Sequence, residues 1–165
     1  MILGLAGWSG SGKTTLIKNL LPELKKINIT VSTLKHAHEG FEVDKPGKDS
    51  YIHRESGAQE VLISSKNRFA LMSNYEDKEK TLAQLIEKLD PVDLIIIEGW
   101  KTENIKKIEI FRKEINKPLL AKNDKNIIAI ATSDKSISVN NTVLLDINNY
   151  KEIAMFIKNL IEQEV

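Results

Sequence analysis

The sequence predicts an α/β fold: a mostly parallel sheet with helices on both faces, plus a β-hairpin excursion. Three observations predict it. Apolar runs of strand length alternate with segments of helical period, the pattern of βα units. Ile2–Ala6 is a short apolar run leading into a glycine-rich turn, as a buried central strand does. Asp93-Leu94-Ile95-Ile96-Ile97-Glu98 is a second buried strand with acids at both ends.

The elements follow in order. From Lys13 a helix carries Leu16, Ile17, Leu20, Leu21 and Leu24 on one face, at helical spacing. Pro22 sits late in it and is expected to bend it or end it early. Ile29–Leu34 is the second strand, and 35–57 is polar, with a short helix over Asp49–Ser56. Val61–Ser64 and Phe69–Met72 read as a hairpin around the loop Ser65-Lys66-Asn67-Arg68,. A helix over Asp77–Leu89 places Leu82, Leu85, Ile86 and Leu89 on one face, with Pro91 beyond it,. Strands are expected at Ile108–Phe111, Ile127–Ala131 and Thr142–Leu145. A last helix, Asn149–Gln163, buries Ile153, Phe156, Ile157, Leu160 and Ile161.

The 165 residues correspond to one domain with room for a short insertion,. Cysteine is absent, which excludes disulfides, a thiolate zinc site and a cysteine nucleophile. Lys and Arg number 24 against 23 Asp and Glu, a net charge of +1, so no global field points to nucleic acid or an anionic membrane. The apolar start is too short for a signal-peptide core. No run reaches the roughly 20 apolar residues of a membrane helix. A cytoplasmic protein is expected.

Gly7-Trp8-Ser9-Gly10-Ser11-Gly12-Lys13-Thr14 fits the phosphate-loop pattern G-x-x-x-x-G-K-[ST]. Glycines let the backbone wrap an anion with its N–H groups pointing inward. The helix that follows adds its positive end. Lys13 is suited to the β- and γ-phosphates and the Thr14 hydroxyl to Mg²⁺. The fold expected is therefore that of a P-loop NTPase, with Gly7, Trp8, Ser9, Gly10, Ser11, Gly12, Lys13, Thr14 and Thr15 as nucleotide-binding residues.

In parallel sheets ligands sit at the carboxyl ends of the strands. Glu98 ends its strand there, suited to holding Mg²⁺ or orienting water. Lys13 and Glu98 are the catalytic candidates; Thr14 and Glu98 are the metal candidates. Gly99 lets the chain turn away, and Trp100 has three open roles: core packing, stacking, or a partner surface. Asp93, at the other end of the strand, is expected to be structural.

All three histidines fall within 36–53. His36 and His38 share a side if the strand continues, suited to a metal or a phosphate-bearing ligand. Lys35, His36, Lys48 and Arg54 are candidates for a second anion site. Asp134 follows the apolar strand Ile127–Ala131. A carboxylate there can accept from the N1–H and N2–H₂ of guanine, which adenine lacks.

These residues together resemble the molybdopterin-guanine dinucleotide biosynthesis protein B family. The resemblance rests on Gly7–Thr14, Lys35-His36-Ala37-His38, 44–50 with His53-Arg54 and Gly57-Ala58, Glu98-Gly99-Trp100-Lys101, and Ala131-Thr132-Ser133-Asp134. It implies GTP with Mg²⁺, weak intrinsic GTPase activity and a homodimer. It also implies association with the guanylyltransferase that attaches GMP to molybdopterin; molybdopterin itself is a further candidate partner, at the second anion site. Glu39 stands where the family usually has another histidine, and Trp100 where it usually has Phe.

The competing reading is a P-loop small-molecule kinase or ligase. Such enzymes usually bring mobile arginines to the transferred phosphoryl. Arg54, Arg68 and Arg112 are the only arginines here, which favours slow chemistry or a partner that completes the site.

Overall fold

The computed structural model describes residues 1–37, 40–75, 78–139 and 141–164. They form two compact units, Met1–His36 with Pro91–Val165, and Ala37–Asp90. The second is an insertion in the chain of the first.

The first unit holds a six-stranded sheet. Its strands are β1 (Ile2–Ala6), β2 (Val31–Lys35), β5 (Leu94–Glu98), β6 (Lys107–Ile110), β7 (Ile127–Thr132) and β8 (Val143–Asp146), in the order β2-β5-β1-β6-β7-β8. Every neighbouring pair is parallel. All carboxyl ends therefore lie on one edge, and β1 lies between β5 and β6.

Alternation along the strands gives the sheet two covered faces. On one, Leu3, Leu5, Ile108, Ile110, Ala129 and Ala131 meet Leu16, Leu20 and Leu24 of α1 (Lys13–Lys26) and Ile153 and Ile157 of α4 (Tyr150–Glu162). On the other, Ala6, Phe111 and Ile130 pack against Leu119, Leu120 and Ala121. A helical turn at Leu120–Lys122 is anchored there by Glu109. The Leu120 and Ala121 N–H groups donate to its two carboxylate oxygens, at 2.8 Å each. Burial pushes the Glu109 pKa up, and the two N–H bonds oppose that shift. Lys107, buried in the same strand, donates to Asp124 at 2.9 Å.

Several boundaries differ from expectation for physical reasons. α1 runs four residues past Pro22. Leu24, fully buried in the core, holds that last turn, so packing outweighs the missing N–H. β2 starts at Val31 instead of Ile29. Asn28 takes φ 60°, and the Thr30 N–H and hydroxyl both donate to Asp93, at 2.7 and 2.6 Å. These bonds hold the Asp93 carboxyl below its ordinary pKa and give it the structural role expected.

The second unit contains α2 (Asp49–Glu55), the hairpin β3 (Glu60–Ser64) and β4 (Phe69–Ser73), and α3 (Leu82–Ile86). The hairpin closes where expected, with the Ser65 N–H donating to the Arg68 carbonyl at 2.8 Å. α3 is much shorter than the helix expected over 77–89. Thr81 and Gln84 form a capping box that starts it at Leu82,. Lys88 and Leu89 close on carbonyls three residues back, which tightens and ends the helix. The expected start, Asp77, lies outside the described residues, as do His38 and Glu39. No helix among the described residues is long and apolar enough to cross a membrane.

Candidate functional site

The glycine-rich segment leaves the carboxyl end of β1 and opens α1. Gly7 leaves the strand at φ 150°. A Cβ there would stand 2.6 Å from Ser11 Oγ and 2.7 Å from the Ile110 carbonyl, so only glycine lets the loop close against β6. Gly10 and Gly12 take φ 79° and 99°, values that L side chains resist. The Ser11 N–H donates to the Trp8 carbonyl at 3.1 Å, tightening the turn. Within α1 the Leu16 N–H reaches the Gly12 carbonyl at 2.8 Å. The N–H groups of Lys13, Thr14 and Thr15 therefore precede the first helical bond and remain available to an anion. The first turn holds no acidic residue to offset its positive end,.

The Lys13 ammonium folds back over the loop, donating to the Gly7 carbonyl at 2.9 Å and the Trp8 carbonyl at 3.1 Å. Burial holds its pKa below the ordinary lysine value; Glu98 opposes the shift, while Lys101 and Lys35 add to it. Strand register explains this grouping. Glu98 is paired with Leu5 on one side and Lys35 on the other. One acid thus sits among three ammonium groups beside the loop. Neither the Thr14 hydroxyl nor the Glu98 carboxylate hydrogen-bonds another described residue, so both keep oxygens for a cation. The left-handed cradle, the lysine and these two oxygens fit a nucleoside triphosphate with Mg²⁺.

Gly99 turns the chain immediately after Glu98. It takes φ 107°, and a Cβ on it would stand 2.7 Å from His36 Cβ and 2.9 Å from the His36 carbonyl. The His36 N–H donates to the Glu98 carbonyl at 2.8 Å. The His36 and Trp100 rings lie 5.0 Å apart, tilted by 43°. So Trp100 packs in a tilted contact against this unit's own histidine.

Four residues that sequence reasoning did not place in the site also meet the loop. Lys101 and Lys117 place their ammonium groups 5.7 and 5.6 Å from the Trp8 ring centre. The Trp8 indole N–H donates to the Pro118 carbonyl at 2.8 Å. Arg112 Nε donates to the Ser11 carbonyl at 3.1 Å. The signal that finds Arg112 is its place just past the end of β6, but only once β6 is known to lie beside β1.

Asp134 follows the carboxyl end of β7. Its N–H donates to Thr132 Oγ1 at 3.1 Å. Its Oδ1 accepts from the Ser136 N–H and hydroxyl at 3.0 and 2.6 Å, and its Oδ2 lies 3.7 Å from the Lys113 ammonium. The Ser136 bonds hold its pKa low. Beside it, Ser133, Lys135, Asp146 and Asn148 help line a cavity of about 450 Å³.

Lys48 and Arg54 belong to the second unit, where Lys48 is the N-cap position of α2. Arg54 contacts three carboxylates: Glu42 at 3.1 Å, Asp44 at 3.2 Å and Glu55 at 2.9 Å. Its guanidinium is thus committed to acids of its own unit, with Asp44 almost fully buried.

An all-parallel sheet with a phosphate loop at the end of its inner strand β1 and an acid on the adjacent β5 defines the class: a P-loop α/β protein. The comparisons narrow it. The family model of molybdopterin guanine dinucleotide synthesis protein B, MobB, matches residues 2–133. A molybdopterin-guanine dinucleotide biosynthesis adapter protein of Haemophilus influenzae is 42% identical over 96% of this chain and 88% of its own. The adapter protein of the same name in Escherichia coli is 40% identical over 99% of this chain and 94% of its own. A crystal structure of molybdopterin-guanine biosynthesis protein B superposes with a TM-score of 0.75 at 26% identity, covering 97% of this chain and 99% of that one. The chain belongs to the MobB family.

Proposed function

We propose that this protein is a GTP-binding adapter with weak GTPase activity that assists the attachment of GMP to molybdopterin. Its partners in this reading are the molybdopterin guanylyltransferase and molybdopterin itself, in the cytoplasm. The observation that carries the nucleotide part is the Gly7–Thr14 cradle with Lys13 folded over it and Glu98 alongside. Thr14 and Glu98 hold Mg²⁺, directly or through water. Lys13 supplies the charge at the β- and γ-phosphates. Lys35 and His36, at the end of β2, serve a second anion beside the triphosphate; Arg54, paired with Glu42, Asp44 and Glu55, is not among its ligands. The adapter part rests on family membership. Turnover measured with and without the guanylyltransferase tests it: slow GTP hydrolysis alone, with cofactor maturation dependent on this chain, is the expected result.

Asp134 is the proposed guanine reader, and Asp134→Asn is a clean test. The Asn side-chain oxygen can keep both Ser136 bonds, so the turn survives. The amide that replaces Oδ2 is a donor facing the donors of guanine. The preference for GTP over ATP is expected to fall at least about tenfold by calorimetry, roughly 1.4 kcal/mol. An unchanged preference removes Asp134 from base recognition.

The homodimer is proposed to form on the hairpin. Leu62 pairs with Leu71 and Ser64 with Phe69, which puts Leu62, Leu71 and Phe69 on one face. They are 60, 46 and 70% exposed. An apolar face on a two-stranded ribbon suits a second copy of the same chain. Leu62→Glu with Leu71→Glu is expected to convert a dimer to a monomer in sedimentation at tens of micromolar. A wild-type monomer at that concentration overturns the dimer.

A further inference from the structure

The phosphate loop is also gripped from outside, by a residue 101 positions further along the chain. Arg112 Nε donates to the Ser11 carbonyl, and its guanidinium covers Gly12. A Cβ built on Gly12 would lie 3.3 Å from Nε and 3.6 Å from Nη2. No described carboxylate forms an ion pair with Arg112. In a trans peptide the carbonyl and the next N–H point in opposite directions. A donor that fixes the Ser11 carbonyl therefore also fixes the direction of the Gly12 N–H, away from Arg112. The other half of the loop is fixed separately, by Lys13 on the carbonyls of Gly7 and Trp8.

We infer that Arg112 is a positioning residue for nucleotide binding: it orients the Ser11–Gly12 peptide so that the Gly12 N–H faces the bound phosphate. The inference rests on the proposed nucleotide site and adds a residue that acts through the loop backbone. Peptide orientation costs free energy when it must be imposed at the moment of binding, and a preformed loop avoids that cost. Arg112 acts here through the direction of one bond, and its net charge is secondary.

That distinction supplies the test. Gln places its side-chain nitrogen the same number of bonds from Cα as Arg Nε, so Arg112→Gln keeps a donor and loses the charge. Arg112→Met keeps the length and loses both. GDP and pyrophosphate affinities are measured by calorimetry at low and high salt. The Gly12 amide is followed by NMR with each probe. Arg112→Met is expected to weaken both ligands about tenfold at either salt and to abolish most of the ligand-induced Gly12 amide shift. Arg112→Gln is expected to stay within about threefold of wild type and to keep the shift. Equal losses in the two variants, or a defect that vanishes at high salt, make Arg112 a charge and overturn the inference. A Met variant that binds like wild type also overturns it. If wild type binds pyrophosphate with the Gly12 shift but does not prefer guanine nucleotides, the GTP reading fails and the inference stands. If neither probe moves Gly12, both fail.

Discussion

Replacing Lys13 with alanine is expected to weaken GTP binding by about a hundredfold, roughly 2.7 kcal/mol, while GMP binding changes less than about threefold. The ammonium sits over the loop between the Gly7 and Trp8 carbonyls. In the proposed site its reach is to the outer phosphates, which GMP lacks. Hydrogen bonds to charged groups contribute about 1.5–3 kcal/mol each, and a partly buried ammonium on a polyanion lies at the upper end. The same residue imposes a pH dependence. Burial lowers the Lys13 pKa, so the ammonium deprotonates earlier on an alkaline titration than an ordinary lysine. GTP affinity should hold near neutral pH and decline as pH rises through that lowered pKa, and GMP affinity should not. Bound phosphate favours the protonated form, so saturating GTP moves the decline to higher pH. Calorimetry with both nucleotides across the alkaline range checks this. Equal losses for GTP and GMP would place Lys13 outside the triphosphate contacts.

The second large effect is on stability. Gly99→Ala should destabilise the protein by about 3 kcal/mol, lowering the melting temperature by roughly 6–12 °C. Two costs coincide at this position. The backbone takes φ 107°, and the new Cβ would fall 2.7 Å from His36 Cβ and 2.9 Å from the His36 carbonyl. Neither contact is the end of a flexible side chain, so the strand ends themselves must separate. The His36 N–H to Glu98 carbonyl bond spans that junction. Relief of the clash therefore displaces Glu98 from Lys13, and GTP-dependent turnover should fall along with stability. Gly10→Ala is the control. Gly10 shares a left-handed φ of 79° but has no atom within 4 Å of its Cβ, so its thermal effect should be smaller. Equal melting shifts for the two variants would show that strain alone, without the His36 contact, sets the cost.

Much of this molecule is legible in its residue order because the forces involved are local. The loop at Gly7–Thr14 declares itself because positive φ values demand glycine and a helix follows at once. Glu98 declares itself because an apolar run that ends in an acid and a glycine needs no distant information. The hairpin closes within four residues, 65–68, and α4 carries its own N-cap, Asn149, whose side chain accepts from the Glu152 N–H at 3.2 Å. In each case the deciding contacts lie within one or two turns of chain. The helix expected over 77–89 shows the limit. Its apolar period is present, but the Thr81–Gln84 capping box, itself local, governs where it begins.

The tertiary structure settled what depends on neighbours far apart in the chain. Pro22 does not end α1, because Leu24 is anchored in the core. Lys107 and Glu109 are buried within β6, where Asp124 and the N–H groups of Leu120 and Ala121 satisfy them. Arg54 gives its charge to Glu42, Asp44 and Glu55 within the inserted unit. Arg112 reaches the phosphate loop only because β6 lies beside β1, and Trp8 finds Pro118 across 110 residues for the same reason. Strand order is set by which apolar faces α1 and α4 can bury together, a property of the whole sheet that no window of sequence contains.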